Sequence, residues 1–407
     1  MQTVVDHVLG AAGISPVIAG LPVHAEAACR GDVVTADTMR SMPRIVIAPD
    51  SFKGTVSAAD AAAAIARGWA RVAPDDELVL RPMADGGEGT LDAFAAAVDG
   101  AARIPITVLG PDDRPVDTSW LRLPGTGGEG DTAVVELAMT SGITLLDTLR
   151  PLDAHTLGFG QAIAAALDAG VEGLLLAIGG SSSTDGGVGA LTALGARFLD
   201  AASRPIPLGN RGLGVLSQAD LSGLRMVPAG GAQILSDVTS PLLGESGAAA
   251  VFGPQKGASP DLIDVLESNL ARLARLVPVH ESVPGSGAAG GTGFGLLAWG
   301  ATMTGGASAV ADAIGLDDTL AGADLVVTGE GRFDGQSAAG KAPTEVARRA
   351  AAAGAPVALV AGAITAETDR FAASVSLTDL AGDGAAAMAE PVRWLERAGA
   401  ELARSAG

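Results

Sequence analysis

Two textures alternate along the chain: short unbroken apolar runs, and longer stretches whose apolar residues recur at helical spacing. Arg44 to Pro49 is a β-rich run, residues 51–57 form a turn, and Ala58 to Val72 carries an apolar stripe of helical period. The same order returns at Leu78 to Met83, the turn at 85–89 and Thr90 to Val98, which predicts two successive β–turn–α units with parallel strands. Their two turns are then expected on one sheet edge. From Arg103 to Leu123 the texture changes to short extended pieces broken by Gly110-Pro111, Arg114-Pro115 and Pro124-Gly125, predicting hairpins or a mixed sheet and a lobe boundary near residue 100. Beyond it, Gly173 to Ile178, Ala232 to Leu235, Ala323 to Thr328 and Pro356 to Ala361 read as strands. Phe159 to Ala169, Asp261 to Val277 and segments starting at Phe294 and near Pro343 read as helices.

The expected fold class is therefore α/β in two lobes, and composition supports it. With 48% hydrophobic residues, 57 glycines, 3% aromatics and no tyrosine, the core is aliphatic, which suits parallel strands covered by alanine-rich helices. A length of 407 residues suffices for two cores with a cleft between them. The formal charge of −20 repels nucleic acid and anionic membranes, so neither is an expected partner. It also repels a small anionic substrate, which must then be held by local cations, helix N-termini or a bound metal. The single Cys29 and four scattered histidines exclude a disulfide framework and a Cys/His zinc cluster. No apolar run reaches membrane-span length and the start lacks signal-peptide character, so a cytoplasmic location is expected. Residues 1–41 read as a poorly structured leader, either a mobile extension or the product of an upstream start.

In open parallel sheets ligands sit beyond the carboxyl ends of the strands. Carboxylates recur there beside glycines, a combination that suggests phosphate together with magnesium. The Asp50-Ser51-Phe52-Lys53-Gly54 turn offers an acid, a hydroxyl and an ammonium able to neutralise a carboxylate or a transferring phosphoryl group. Asp85 and Glu88 flank Gly86-Gly87; taken alone, this pattern is better read as a capping box than as a site. The run Gly179 to Gly189, with three serines, Thr184 and Asp185, reads as an anion nest with one acid beside it, making Asp185 the first candidate for general base and metal ligation its main rival. Gly329-Glu330-Gly331-Arg332-Phe333-Asp334 places a guanidinium between two acids, with Lys341 on the same segment, although such an arginine more often makes a structural ion pair. Asp237 and Lys256 are individually weak signals. No histidine lies near Ser181 to Ser183 in sequence and His155 reads as a loop or core residue, so a serine-hydrolase triad is poorly supported. There is no Walker A pattern and no strict GxGxxG. The residues by themselves stop at a metal-assisted site for a phosphorylated or carboxylated small molecule.

Six ordered segments taken together resemble the bacterial glycerate kinases of the glyoxylate and glucarate pathways. They are Ile47 to Gly54, Ala84 to Thr90, Ile178 to Ser181 with Thr184 to Gly187, Val251 to Ala258, Gly287 to Gly291, and Thr328 to Gly331 with Asp334 and Gly340-Lys341. The resemblance covers about residues 44 to 400. It implies a Rossmann-like parallel-sheet domain, 44–100 plus 290–405, interrupted by a second α/β domain with a mixed sheet at 101–289. It further implies ATP-dependent phosphorylation of D-glycerate, most readily at the 2-hydroxyl to give 2-phosphoglycerate, with ATP and Mg2+ against the glycine-rich turns. On this reading Asp185 accepts the hydroxyl proton and Lys53 and Asp50 complete the catalytic group. Ser51, Gly86, Gly87, Ser181, Ser182, Gly290, Gly291, Lys256 and Arg332 hold substrate or phosphate, and Asp85, Glu88, Asp237, Glu330 and Asp334 face metal. A homodimer is allowed as the assembly. The chain departs from the family in having Thr184 where Asn is usual and Thr239-Ser240 where Asp-Asn is usual, which leaves open a kinase for a related small hydroxy acid. A non-catalytic sensor of small acids is the other alternative.

Overall fold

The computed structural model describes residues 42–52, 54–125, 130–335 and 341–406; Lys53 and the leader 1–41 lie outside the described residues. Its first strands are β1 (Arg44–Pro49) and β2 (Glu77–Leu80), joined by helix α1 (Ala58–Ala70), with α2 (Thr90–Ala97) following. Ser57 caps α1 by accepting from the Asp60 amide, and Asp60 in the first turn complements the helix dipole. Next come β3 (Ala102–Leu109), β4 (Pro115–Leu123), β5 (Thr132–Glu136), α3 (Ala138–Ser141), α4 (Leu157–Asp168) and β6 (Gly173–Ala177). The middle of the chain holds α5 (Val188–Ala193), a small ribbon of β7 (Arg197–Leu199) and β8 (Gln218–Asp220), α6 (Gly209–Leu213) between them, and β9 (Ala232–Leu235). Then follow α7 (Ala248–Phe252), α8 (Pro260–Ala274), α9 (Ala288–Trp299), β10 (Thr302–Thr304), α10 (Gly306–Ala313) and α11 (Leu316–Leu320). The last part contains β11 (Leu325–Phe333), α12 (Ala342–Ala353), β12 (Val357–Ile364), β13 (Ala373–Ser376), α13 (Leu377–Ala381), α14 (Gly384–Ala389) and α15 (Pro391–Ala406).

The strands form the expected pair of sheets. One is wholly parallel, in the order β13-β12-β11-β1-β2, and joins the two ends of the described chain. The other, β10-β9-β6-β5-β4-β3, is mixed, because the β3–β4 hairpin runs antiparallel while β5, β6, β9 and β10 are parallel. Residues 290–304, assigned from sequence to the first lobe, belong here instead: β10 pairs with β9, and Phe294, Leu296 and Trp299 pack into the second sheet's core. The strand predicted at 323–328 continues through Phe333, so Glu330 and Arg332 are strand residues paired with Ala361 and Ala363 rather than turn residues.

In the parallel sheet the chain steps one way from β1 to β2 and the other way from β11 to β12. The strand order therefore reverses between β1 and β11, which opens a crevice beyond their carboxyl ends. Helices α1 and α15 cover one face. They touch backbone to backbone: a Cβ on Gly68 would stand 1.8 Å from the Glu396 carbonyl oxygen, and one on Gly399 2.1 Å from that of Ile65. Gly68→Ala is accordingly expected to destabilise the fold by roughly 1–3 kcal/mol through overpacking, although alanine is the better helix former. A melting temperature equal to or above that of the parent chain would show that the two helices separate without cost.

Candidate active site

The crevice between β1 and β11 contains the first candidate cavity, of about 410 Å3. Pairing of Pro49 with Gly329, continued by the Asp50 amide donating to the Gly329 carbonyl at 2.7 Å, brings Ser51 and Glu330 to its floor. Asp50 is buried behind them and accepts from the Ser51 amide at 2.7 Å, which fixes the turn. Arg332, Asp334 and Lys341 supply polar walls, while Phe52, Leu377 and Met388 supply apolar ones. The buried Ser51 hydroxyl has no partner among the described residues. A buried hydroxyl without a partner costs free energy, which a ligand in the crevice relieves.

The second cavity, about 480 Å3, lies where the ends of β6 and β9 meet the turn after β2. Asp85, Glu88, Asp237, Thr239 and Ser240 line it together with the Gly179–Gly180 backbone, and Lys341 appears in its wall as well as in that of the first cavity. The glycines answer a packing demand. Gly86 has φ +85° and a Cβ there would meet the Leu235 carbonyl oxygen at 2.4 Å, while a Cβ on Gly179 would stand 2.5 Å from the Gly87 Cα. The Gly179 amide donates to the Gly86 carbonyl at 3.0 Å, so the two turns are fastened together as one wall.

The capping box expected at Asp85 and Glu88 does not form. Gly89 is the N-cap of α2, and the carboxylate of Glu136, at the end of β5, accepts from the Gly89 and Leu91 amides at 3.0 and 2.9 Å. Asp85 instead accepts from the Gly87 amide at 3.1 Å, and Glu88 is exposed at the cavity. Burial pushes the Glu136 carboxyl up to about 7, against the two amides that favour its charge, and the charges of Asp92 and Glu88 add to the shift. A folded-state value above the unfolded one means that the native protein holds the extra proton between about pH 4.5 and 7. Stability contributed by this group is therefore full below that window and falls as pH rises through it, by roughly 3 kcal/mol. Glu136→Gln is expected to flatten this part of the profile; urea unfolding across the window in both proteins would expose an unchanged slope.

Asp237 closes the opposite wall. Its carboxylate accepts from the Gly306 and Ala307 amides at 2.9 and 3.4 Å, at the N-terminus of α10. Desolvation by the surrounding protein, followed by the charges of Asp85 and Glu345, pushes it up to about 6 against those two donors, although the residue as a whole is exposed at the cavity.

Other residues singled out from the sequence lie behind these walls. Asp185 is buried and accepts from the Thr156 amide and hydroxyl at 3.0 and 2.8 Å and from the Gly187 and Gly189 amides at 3.1 and 3.2 Å. It lines neither cavity; the carboxylate organises the start of α5. Lys256 is buried, donates to the Ser183 carbonyl and has its ammonium pushed down to about 7 by burial, with Asp185 opposing. Ser181 and Ser182 donate to the Ala289 and Ser141 carbonyls at 3.2 and 2.8 Å. Gly290 and Gly291, at φ +69° and +85°, are pressed against Ser183 and Gly186. This group supports Gly179–Gly180 from behind. The five acids expected around metal divide between the cavities, Glu330 and Asp334 in the first and Asp85, Glu88 and Asp237 in the second. No three metal-ligating side chains converge among the described residues. Two important residues were not singled out from sequence. Glu136 is an acid ending an apolar strand, a signal open to reading. Lys341 stands in the sequence beside Arg332 and in the last of the six family segments, and no local pattern shows that it lines both cavities.

Residues 45–406 match the model of the glycerate kinase family. The chain belongs to the glycerate kinase family. It is 42% identical over 332 residues to the glycerate 2-kinase of Escherichia coli K12, covering 79% of this chain and 86% of that protein. It is 42% identical over 338 residues to a glycerate kinase of Bacillus subtilis 168, covering 80% and 86%. A solved structure named for glycerate kinase 2 of Salmonella typhimurium LT2 superposes with a TM-score of 0.75 at 38% identity, covering 90% of this chain and 98% of that one.

As a glycerate kinase family member, the chain bears its departures in distinct places. Thr239 and Ser240 line the second cavity, so hydroxyls stand where an acid and an amide were expected. Thr184 is fully buried, away from both cavities, and its hydroxyl has no partner among the described residues. No helix among the described residues is long and apolar enough to cross a membrane.

Proposed function

We propose that the chain transfers the γ-phosphoryl group of ATP to the 2-hydroxyl of D-glycerate, giving 2-phosphoglycerate and ADP. The observation that carries this reading is Lys341, a residue that lines two cavities of unlike character. The first, lined by the apolar Phe52, Leu377 and Met388 as well as by Arg332 and Lys341, suits a nucleotide whose base lies on apolar surface and whose phosphates meet cations. The second, with hydroxyls and carboxylates at glycine turns, suits a small hydroxy acid.

Asp237 then accepts the proton of the attacking hydroxyl. A carboxyl near 6 is ionised at neutral pH yet basic enough to take a proton, a better match than an ordinary aspartate. As the hydroxyl oxygen bonds to phosphorus, the bond from phosphorus to the ADP oxygen breaks, and Lys341 balances the charge spread over the transferring group. Asp50 keeps the Ser51 backbone in place at the crevice floor. The buried Glu330 and half-buried Asp334, which line the same cavity, would hold a Mg2+ ion, and the ion would supply charge neutralisation for the phosphates. Asp185, held by four donors, positions α5 in this reading and does not meet the substrate.

The test is a coupled ADP-release assay over a panel of small hydroxy acids, with phosphorus NMR of the product. A phosphorus signal split by one carbon-bound proton identifies the 2-phosphate, and a signal split by two identifies the 3-phosphate and overturns the assignment. Absence of ADP release with every hydroxy acid would remove the kinase reading itself and leave binding without turnover.

A further inference from the structure

Arg349 on α12 is buried, 6% exposed, and lines neither cavity. All three of its nitrogens are engaged. Nε donates to Glu345 on the same helix at 2.7 Å and Nη1 to Asp317 on α11 at 2.9 Å. Nη2 donates to the Ser308 carbonyl and hydroxyl at 3.2 and 3.1 Å and to Asp312 at 2.7 Å, both residues lying on α10. Most exposed ion pairs contribute little, and here the Asp312 and Asp317 side chains are 67% and 69% exposed while Glu345 also pairs with Arg348; what the buried guanidinium adds is a tie between three helices rather than charge balance.

The placement of the three helices gives this junction its meaning. The N-terminal amides of α10 hold the Asp237 carboxylate, and the N-cap of α12 is Lys341 itself. Asp237 stands at the end of a second-sheet strand, whereas α12 follows β11 of the first sheet. We propose that Arg349 is a positioning residue of the phosphoryl transfer: by clamping α10 to α12 it fixes the Asp237 carboxylate and the Lys341 ammonium relative to one another across the two cavities. This rests on the phosphoryl-transfer reading above and deepens it. Displacing reacting groups by about 1 Å costs on the order of a hundredfold in rate, so a clamp remote from the substrate suffices to control turnover.

The three arms of the clamp separate positioning from mere stability. Asp312 anchors α10, which carries the amides on Asp237, whereas Asp317 anchors α11, which carries neither site residue. Steady-state kinetics of Arg349→Met, Asp312→Asn and Asp317→Asn are compared at a temperature where all are folded. Arg349→Met is expected to lose roughly 10- to 100-fold in kcat with both KM values within about threefold, Asp312→Asn to lose part of this, and Asp317→Asn to match the parent chain. Hydrogen exchange at the Gly306 and Ala307 amides should quicken at least about tenfold in the first two variants and remain unchanged in the third. Should Arg349→Met fail to fold, Asp312→Asn alone decides. Equal kcat for Asp312→Asn and Asp317→Asn with unaltered exchange would overturn the proposal and leave the junction as a stability device. If the parent chain phosphorylates no hydroxy acid, the kinase reading fails, while the exchange measurements still decide whether Arg349 fixes the α10 amides on Asp237.

Discussion

Replacing Asp237 by Asn is expected to lower kcat by roughly 10²- to 10⁴-fold, the range supplied by a positioned general base. The amide oxygen still accepts from the Gly306 amide, so the α10 cap is largely retained and the melting temperature should change little. The pH profile supplies a second readout. Since the carboxyl must be ionised to accept a proton and is pushed up to about 6, turnover by the parent enzyme should fall as pH drops through about 6. That limb should vanish in the variant. Turnover within tenfold of the parent, with the acidic limb intact, would take the proton transfer away from this residue.

Lys341→Met is expected to have an effect of comparable size, about 10²- to 10³-fold in kcat, the cost of removing one pre-placed charge or donor from a developing anion. Its signature differs from that of Asp237→Asn. Because Lys341 borders both cavities, KM should rise for ATP and for glycerate together. Lys341→Arg retains the charge and should recover part of kcat, limited by the different geometry of the guanidinium. A rise in KM for only one of the two substrates would place the lysine in a single cavity and undo its bridging role.

Much of the scaffold around these residues was legible because it rests on local pattern. Apart from Arg44 and the exposed Gln233, the runs of β1, β6, β9 and β12 are apolar and largely buried, and they end in glycine or polar turns, so their existence follows from sequence. The three-residue strands β7, β8 and β10 are too short to establish a period, and the return of 290–304 to the second sheet depends on a pairing with residues almost 70 positions away. The site divides along the same line. Asp237 was visible as an acid at a strand end. Asp185 stands out in the sequence because glycines surround it, and those glycines answer crowding: a Cβ on Gly186 would meet Leu273 at 2.4 Å, and one on Gly187 would meet the Thr292 backbone at 3.2 Å. Likewise the Asp85–Glu88 spacing imitated a capping box while the actual acceptor, Glu136, arrives from 47 residues along the chain. Glycine next to acid therefore reports either ligand approach or backbone crowding, and only the tertiary neighbours distinguish them.

The central pairing of the parallel sheet also dictates what the ribosome must manage. Thr328 on β11 bonds to the Ala48 carbonyl on β1, a partner made 280 residues earlier. At about 5–20 residues per second, β1 emerges and waits some tens of seconds before its neighbour exists. Its apolar row, Ile45 to Ala48, is fully buried in the finished protein and unprotected on that side until then. The mixed sheet, contiguous from β3 to β10, has no such delay. Nascent chains stalled before residue 325 should therefore display a folded middle flanked by an adhesive N-terminal segment, the state in which chaperone binding matters most.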